Sequence, residues 1–327
     1  MRRILRICLG LVFLGAPALV SVLSWGLNEF RRPGPLAEAV TIIIPRDEGL
    51  DSIARRLADA GILRYPLVLV VGARLSERAR QLKAGEYRFE AAISAEGLVA
   101  LLAEGRTVVR RLTVPEGLTS AQVLTLIASA EGLDGTVIAP PNEGELLPET
   151  YHYSYGDGRE DIVRRMRRAA VEAMTEAWTQ RDSGLPIVDP REALVLASIV
   201  EKETGRADER ARIAGVFVNR LRLGMPLQSD PTVIYGLSQG AGGLGRALIR
   251  DDLQRPGPYN THLNKGLPPG PIGNPGRASL AAATRPLKTD DLYFVADGTG
   301  GHSFARTLAE HNRNVARWRR LQGKGAD

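Results

Sequence analysis

Asp189-Pro190-Arg191-Glu192-Ala193-Leu194-Val195-Leu196-Ala197-Ser198-Ile199-Val200-Glu201-Lys202-Glu203-Thr204 reads as one helix with its start and its end marked. Asp189 is a residue type that caps helices, and Pro190 suits the first turn, where its missing N–H costs nothing. From Ala193 to Val200 every position is apolar or small, so no face is left for solvent and the helix is expected to be buried. The run closes on two carboxylates, Glu201 and Glu203. A carboxylate at the exposed end of a buried helix is partly desolvated, which raises its pKa and lets it stay protonated near neutral pH as a general acid. A spacing of two residues turns the pair about 200° apart around the helix, so they face different surroundings and cannot act as one unit. From this pattern alone, helix termination or a salt bridge is the preferred reading of either glutamate.

Outward from this helix, the next is expected from Asp208 to about Leu223, apolar at Ile213, Val216, Phe217 and Leu221, with Gly224 suited to end it. The chain is then rich in Gly and Pro to about Gly276, helical from Ala278 to Ala283, a strand from Leu292 to Ala296, and a basic helix from about Leu308 to Leu321. Upstream, a helical pattern runs from Asp161 to Trp178 through Ile162, Met166, Ala170 and Met174. Earlier still, a small phrase occurs twice. The β-branched run Val40–Ile44 is closed by Pro45, and Glu48-Gly49-Leu50-Asp51-Ser52 leads into a helix at Ile53, Leu57 and Ala60. Val108–Val114 is closed by Pro115, and Glu116-Gly117-Leu118-Thr119-Ser120 leads into a helix at Val123, Leu124 and Ile127. Between the copies, Pro66 opens a helix to about Leu82, Ala84–Phe89 reads as a strand and Ala95–Leu102 as a helix. The fold class is therefore α+β, with a region of short elements over 40–144 and a larger mixed domain over 145–327.

The 327 residues are 44% hydrophobic, which excludes a disordered chain. A net charge of +6 is scattered, without the basic block or aromatic interleaving of a nucleic-acid binder, so no nucleic acid is expected as a partner. The single cysteine, Cys8, excludes an internal disulfide framework. After Arg2, Arg3 and Arg6, the run Ile7–Leu27 carries no charge and has the length of a spanning helix. Ala16-Pro17-Ala18 fits a signal-cleavage pattern, but the apolar run continues past it, and a retained anchor is the preferred reading. The expected order is a cytoplasmic 1–6, a transmembrane helix over 7–27 and a linker over 28–39, with the bulk of the chain outside the cytoplasm; the arginine bias that sets this orientation is slight. Gly240-Ala241-Gly242-Gly243-Leu244-Gly245 has dinucleotide-loop spacing but no βαβ setting, and reads as a flexible loop. His152, His262, His302 and His311 lack ligand spacing, so neither a metal nor a cofactor is expected.

Ala197–Thr204 resembles the signature helix of the YceG-like (MltG) endolytic murein transglycosylase family. Further matches follow in order: Val216–Leu221, Leu227–Gly236, Tyr259-Asn260-Thr261, Gly266–Ile272, Leu292–Ala296, then His302, Phe304 and His311-Asn312. The resemblance is strongest from Leu147 to Asn312. It departs at Glu149, where the family commonly has aspartate, and at His262, where tyrosine is common. It implies that Glu203 is the catalytic acid, and that 40–144 contains a LysM-like α+β portion that either contacts glycan or serves as a spacer. It also implies an enzyme that cleaves the MurNAc-GlcNAc bond of nascent peptidoglycan strands and leaves 1,6-anhydro ends, single-pass in the bacterial inner membrane with its catalytic domain on the periplasmic side, beside peptidoglycan synthases. Hydrolytic glycosidases usually need two carboxylates; here one would protonate the glycosidic oxygen and then deprotonate the sugar's own 6-hydroxyl. Gln228, Asp230, Tyr235 and Asn260 are candidates to hold the sugar, since amides, carboxylates and phenols hydrogen-bond hydroxyls and N-acetyl groups, and loop bracing explains each equally well. A non-catalytic glycan-binding or scaffold protein is the alternative from another class.

Overall fold

The computed structural model describes the backbone of residues 2–323 and the side chains of residues 17–321. Two compact units divide the chain: residues up to Arg110 together with Tyr153–Asp157, and Arg111–His152 together with Gly158 onward.

The first unit begins with helix α1 (Arg2–Arg31), followed by β1 (Val40–Ile44), α2 (Leu50–Asp59), α3 (Pro66–Leu75), β2 (Gly85–Phe89) and α4 (Ala95–Glu104). β1 and β2 pair antiparallel from Val40 opposite Phe89 to Ile44 opposite Gly85. This ribbon is too small to stand alone. It buries Ile44, Tyr87 and Phe89 with Ile53 and Leu57 of α2, Leu69 of α3, and Leu98 and Leu102 of α4. Ser94 caps α4 by accepting the Gly97 N–H, and Gly105, left-handed, ends it. α3 stops at Leu75, short of the expected Leu82, because Glu77 turns to a φ of 59°. The Arg78 N–H then closes back onto the Ala73 carbonyl.

The residues read as a linker, 28–39, are packed. α1 continues to Arg31, Phe30 lies against Gly72, and the Gly34 N–H reaches the Ala92 carbonyl. Of the expected spanning segment, residues 7–16 lie outside the described side chains. Among the described residues no helix is long and apolar enough to cross a membrane.

The second unit contains β3 (Arg110–Thr113), α5 (Ser120–Ser129), β4 (Thr150–Tyr153), α6 (Arg159–Thr179), α7 (Pro190–Glu203), α8 (Arg210–Arg222), α9 (Asp230–Ser238), α10 (Arg250–Gln254), α11 (Arg277–Thr284), β5 (Tyr293–Ala296), β6 (His302–Ala305) and α12 (Leu308–Gly323). β3 pairs with β4 and β5 with β6, so the class is mixed α+β with helices around small sheets. α7 is the axis of this unit. Asp189 caps it through the Glu192 N–H, and Val195–Val200 are all buried. α6, α8, α9 and α11 pack around it, burying Ile213, Phe217, Ile272 and Leu280 in one core.

Residues 111–144, grouped from sequence with the first region, pack within this second unit. Asn274 is the reason. It is fully buried, takes the Leu146 N–H on its side-chain oxygen, and gives its amide to the Leu118 carbonyl and the Ser120 hydroxyl. The chain around Leu118 and Leu146 is thereby held on the loop before α11.

Candidate active site

The two glutamates that end α7 meet opposite surroundings. Glu201, with a side chain 4% exposed, accepts from Arg210 at 3.2 Å and from the Gly276 N–H at 2.8 Å. The same Arg210 reaches Glu116 at 3.0 Å. Burial and the nearby Glu201 charge push the Glu116 carboxyl up, against the pull of Arg210. Glu201 is thus one corner of a cluster that ties α7 to α8 and to the turn before α5.

Glu203 has one hydrogen bond among the described residues, from the Ser229 hydroxyl to Oε1 at 2.5 Å. It keeps partial exposure, yet the protein around its carboxyl is dense enough that desolvation dominates and lifts its pKa to about 7. The Ser229 hydrogen bond, His302 and the Arg220 guanidinium oppose that shift, while the negative charge of Asp230 adds to it. Near neutral pH the group therefore exists in both forms, as an acid that must give and retake a proton requires.

Ser229 is placed by the entry into α9. Gln228 holds a φ of 53°, uncommon for a non-glycine residue, and its N–H bonds the Thr261 carbonyl at 3.0 Å. The Ser229 N–H bonds Thr261 Oγ1 at 3.0 Å, and Thr232 Oγ1 donates to the Ser229 carbonyl at 2.6 Å. Arg220, 7% exposed, donates to the Leu227 carbonyl at 2.8 Å, the Gln228 Oε1 at 3.2 Å and the Leu292 carbonyl at 2.7 Å. A backbone turn that would be strained alone is held by these bonds.

The four contact candidates separate. Asp230 opens α9 beside Glu203, remains exposed, and receives His262 Nε2 at 2.9 Å. Gln228 lines the same turn, with its oxygen already engaged by Arg220. Tyr235 stacks obliquely on Tyr259 at 4.9 Å and lies near Glu143; burial and the Glu143 charge push the phenol up. Asn260 is 3% exposed and spends its amide on the Leu253 and Arg255 carbonyls and its oxygen on the His262 N–H. In this structure Asn260 braces a loop. The two departures also find partners: Glu149 pairs with Arg277 at 2.7 Å, and His262 with Asp230.

Sequence reasoning passed over Ser229, Arg220 and the pairing of Glu209 with His302 at 2.7 Å. Ser229 had a signal, since a serine followed by Asp230-Pro231 is a helix start. The Glu209–His302 pair had none, because 93 residues separate its members.

The second unit is thus of a class that holds one desolvated acid at the end of a buried helix, with a hydroxyl donor and a flanking carboxylate beside it. This chain belongs to the YceG-like family, which it matches over residues 42–317. It is similar to the endolytic murein transglycosylase of Streptococcus pneumoniae serotype 2, 31% identical over 324 residues, covering 85% of this chain and 58% of that protein. The Bacillus subtilis protein of the same name is 40% identical over 177 residues, covering 54% of this chain and 48% of its own. The chain therefore spans about half the length of these relatives. A yceG-like protein from Listeria monocytogenes has a similar solved structure, with a TM-score of 0.53 and 30% identity over 84% of this chain and 98% of that one.

Proposed function

We propose that this chain is an endolytic lytic transglycosylase that cleaves the MurNAc-GlcNAc bond of peptidoglycan glycan strands and leaves 1,6-anhydro-MurNAc ends. The observation that carries the reading is Glu203: a carboxyl with a pKa raised to about 7, partly open to solvent and held by a single hydroxyl. Its protonated form gives a proton to the glycosidic oxygen, and the sugar's 6-hydroxyl replaces water as nucleophile. One carboxylate can then serve as acid and, once ionised, as base. Asp230, exposed beside Glu203, supports oxocarbenium-like charge and hydrogen-bonds sugar hydroxyls. Gln228 and Tyr235 border the sugar from the turn before α9 and from α9 itself, and Asn260 acts through the loop it braces. The match to endolytic murein transglycosylases over most of the chain supports this substrate class.

The same proposal covers the remaining architecture. The α1 apolar segment over 7–27 anchors the chain in the bacterial inner membrane, with the second unit on the periplasmic side near peptidoglycan synthases, and the short α+β elements from residue 40 onward form a LysM-like region that contacts glycan. The test is digestion of purified glycan strands by the full chain in detergent, with reducing ends read by mass spectrometry. Anhydro ends from the wild type and none from Glu203→Gln are expected. Hydrolysed ends from the wild type would make it a muramidase instead, and equal behaviour of the two proteins would make it a glycan-binding scaffold.

A further inference from the structure

Arg220 is a buried cation whose hydrogen-bond acceptors are all neutral. It lies on α8, is 7% exposed, and gives Nε to the Leu292 carbonyl at 2.7 Å. Nη1 reaches the Pro226 and Leu227 carbonyls at 3.2 and 2.8 Å and Gln228 Oε1 at 3.2 Å. The Tyr293 ring lies 5.2 Å from the guanidinium carbon. Among the described residues no carboxylate pairs with it. A buried charge without a counterion is costly, so its presence needs a reason that a neutral donor could not supply. The planar fork is that reason: it spans acceptors on two separate segments, before β5 and before α9, at once. Asn219, the residue before it, shows what a neutral donor does in the same place. Its amide bonds the Thr289 and Asp291 carbonyls at 2.7 and 3.1 Å and ties α8 to the segment leading into β5 alone.

What Arg220 holds and Asn219 does not is the turn into α9. Its Nη1 bonds fall on residues 226–228 and end on Gln228, whose φ of 53° is strained for a residue with a side chain. The next residue is Ser229, whose hydroxyl donates to Glu203 Oε1. Downstream, the Ser229 backbone is fixed by its N–H on Thr261 Oγ1 at 3.0 Å and by Thr232 Oγ1, which donates to the Ser229 carbonyl at 2.6 Å. The hydroxyl thus keeps its aim at Glu203 only while the chain keeps its heading at Gln228, and Arg220 grips the chain on the upstream side of that heading.

We propose that Arg220 is a positioning residue for the acid, its guanidinium setting the turn at Gln228 so that the Ser229 hydroxyl stays on Glu203. This rests on the transglycosylase reading above, in which Glu203 is the proton donor. Arg220 acts through Gln228 and Ser229 and is not itself a catalytic group.

The experiment uses the full chain in detergent on purified glycan strands and follows the cleavage rate against pH, with melting temperature and product ends read alongside. Arg220→Lys keeps the charge but lacks the fork. It is expected to slow cleavage by about 10- to 100-fold and to move the alkaline limb of the profile to higher pH, because a Glu203 that has lost its hydroxyl donor holds its proton longer. In a Ser229→Ala background the same substitution should move the limb no further, since the contact it acts through is already gone. Asn219→Ala loosens α8 without touching the turn, and should lower the melting temperature while leaving the limb in place. Gln228→Gly, at an exposed residue, frees the heading with Arg220 intact and should move the limb upward too; it decides the matter if Arg220→Lys shows no cooperative unfolding transition. A limb that stays put in the folded variants, a shift that adds to that of Ser229→Ala, or an equal shift in Asn219→Ala overturns the proposal and leaves the transglycosylase reading in place. Hydrolysed ends from the wild type overturn the transglycosylase reading alone, because the limb reports the proton donor whichever end is made. A wild type that cleaves nothing overturns both.

Discussion

Glu201 and Glu203 share a helix end, a side-chain type and nearly the same sequence context, and the second unit treats them in opposite ways. Around Glu201 it brings a guanidinium and a backbone N–H, which hold the charge in place. Around Glu203 it brings one hydroxyl and dense packing that desolvates the carboxyl, which leave the proton labile. Burial alone therefore does not make an acid. What separates the two is whether burial is compensated: Glu201 is fully partnered and fixed, whereas Glu203 is under-partnered and poised.

The sharpest way to break this comparison is to exchange the roles of the two residues. Glu203→Gln should lower anhydro-product formation by about 1,000-fold or more, within the range of a lost general acid, with no loss of stability. Glu201→Ala should behave in the reverse sense. Leaving Arg210 short of a buried partner is expected to cost about 3 kcal/mol, the low end for such pairs because Glu116 remains, and denaturant unfolding would read it. Full stability in Glu201→Ala would remove the structural half of the contrast.

The pH dependence of stability sharpens the same point. The Glu203 pKa lies above its ordinary value of 4.5, at about 7 when folded. The folded state is thus favoured relative to the unfolded one below 4.5, and that advantage is lost as pH rises to about 7. Glu203→Gln should accordingly raise the melting temperature relative to wild type at pH 8 but not at pH 4. Equal shifts at both pH values would mean that the carboxyl is not the titrating group.

Ser229→Ala has a smaller expected effect. Removing a donor that favours the ionised form raises the Glu203 pKa further, so the alkaline limb of the activity profile should move to higher pH. A limb that stays put would remove Ser229 from the electrostatics of the site. The smallest effect concerns the repeated phrase. Gly117 adopts a φ of +77° with Glu201 Cγ 3.4 Å from any added Cβ, whereas Gly49, its counterpart in the first copy, has a φ of −74° and open space. Gly117→Ala should cost about 1–2 kcal/mol, and Gly49→Ala almost nothing. Thermal melts of the two variants compare them directly.

Much of this was legible in the sequence because it depends on neighbours along the chain. The strand Val40–Ile44, the cap at Asp189, the buried run to Val200 and the turn of phrase at Glu116 follow from periodicity and capping, which are local. The class of elements around α7 was readable for the same reason. The choice between Glu201 and Glu203 was not, since it is made by Arg210, Gly276 and Ser229, which arrive from other elements. Family resemblance pointed to Glu203 without supplying that physical reason. Asn260 shows the converse: its motif was recognisable, but only the fold shows that its amide is already spent on the Leu253 and Arg255 carbonyls. The Gly/Pro-rich stretch hid α9 because its helix start, Ser229-Asp230-Pro231, sits among turn-forming residues.

The last turns of α1 have a mechanical consequence. Phe30 fills the notch above Gly72, Trp25 meets Tyr65 edge-on at 5.4 Å, and Glu29 takes Arg64 at 3.3 Å. The joint between helix and first unit is thus a socket rather than a hinge. Rotating α1 by a single residue would swing Phe30 about 100° out of its notch, so α1 and the first unit turn together. Whatever sets the tilt and heading of that helix steers the β1–β2 ribbon and its flanking helices as one piece.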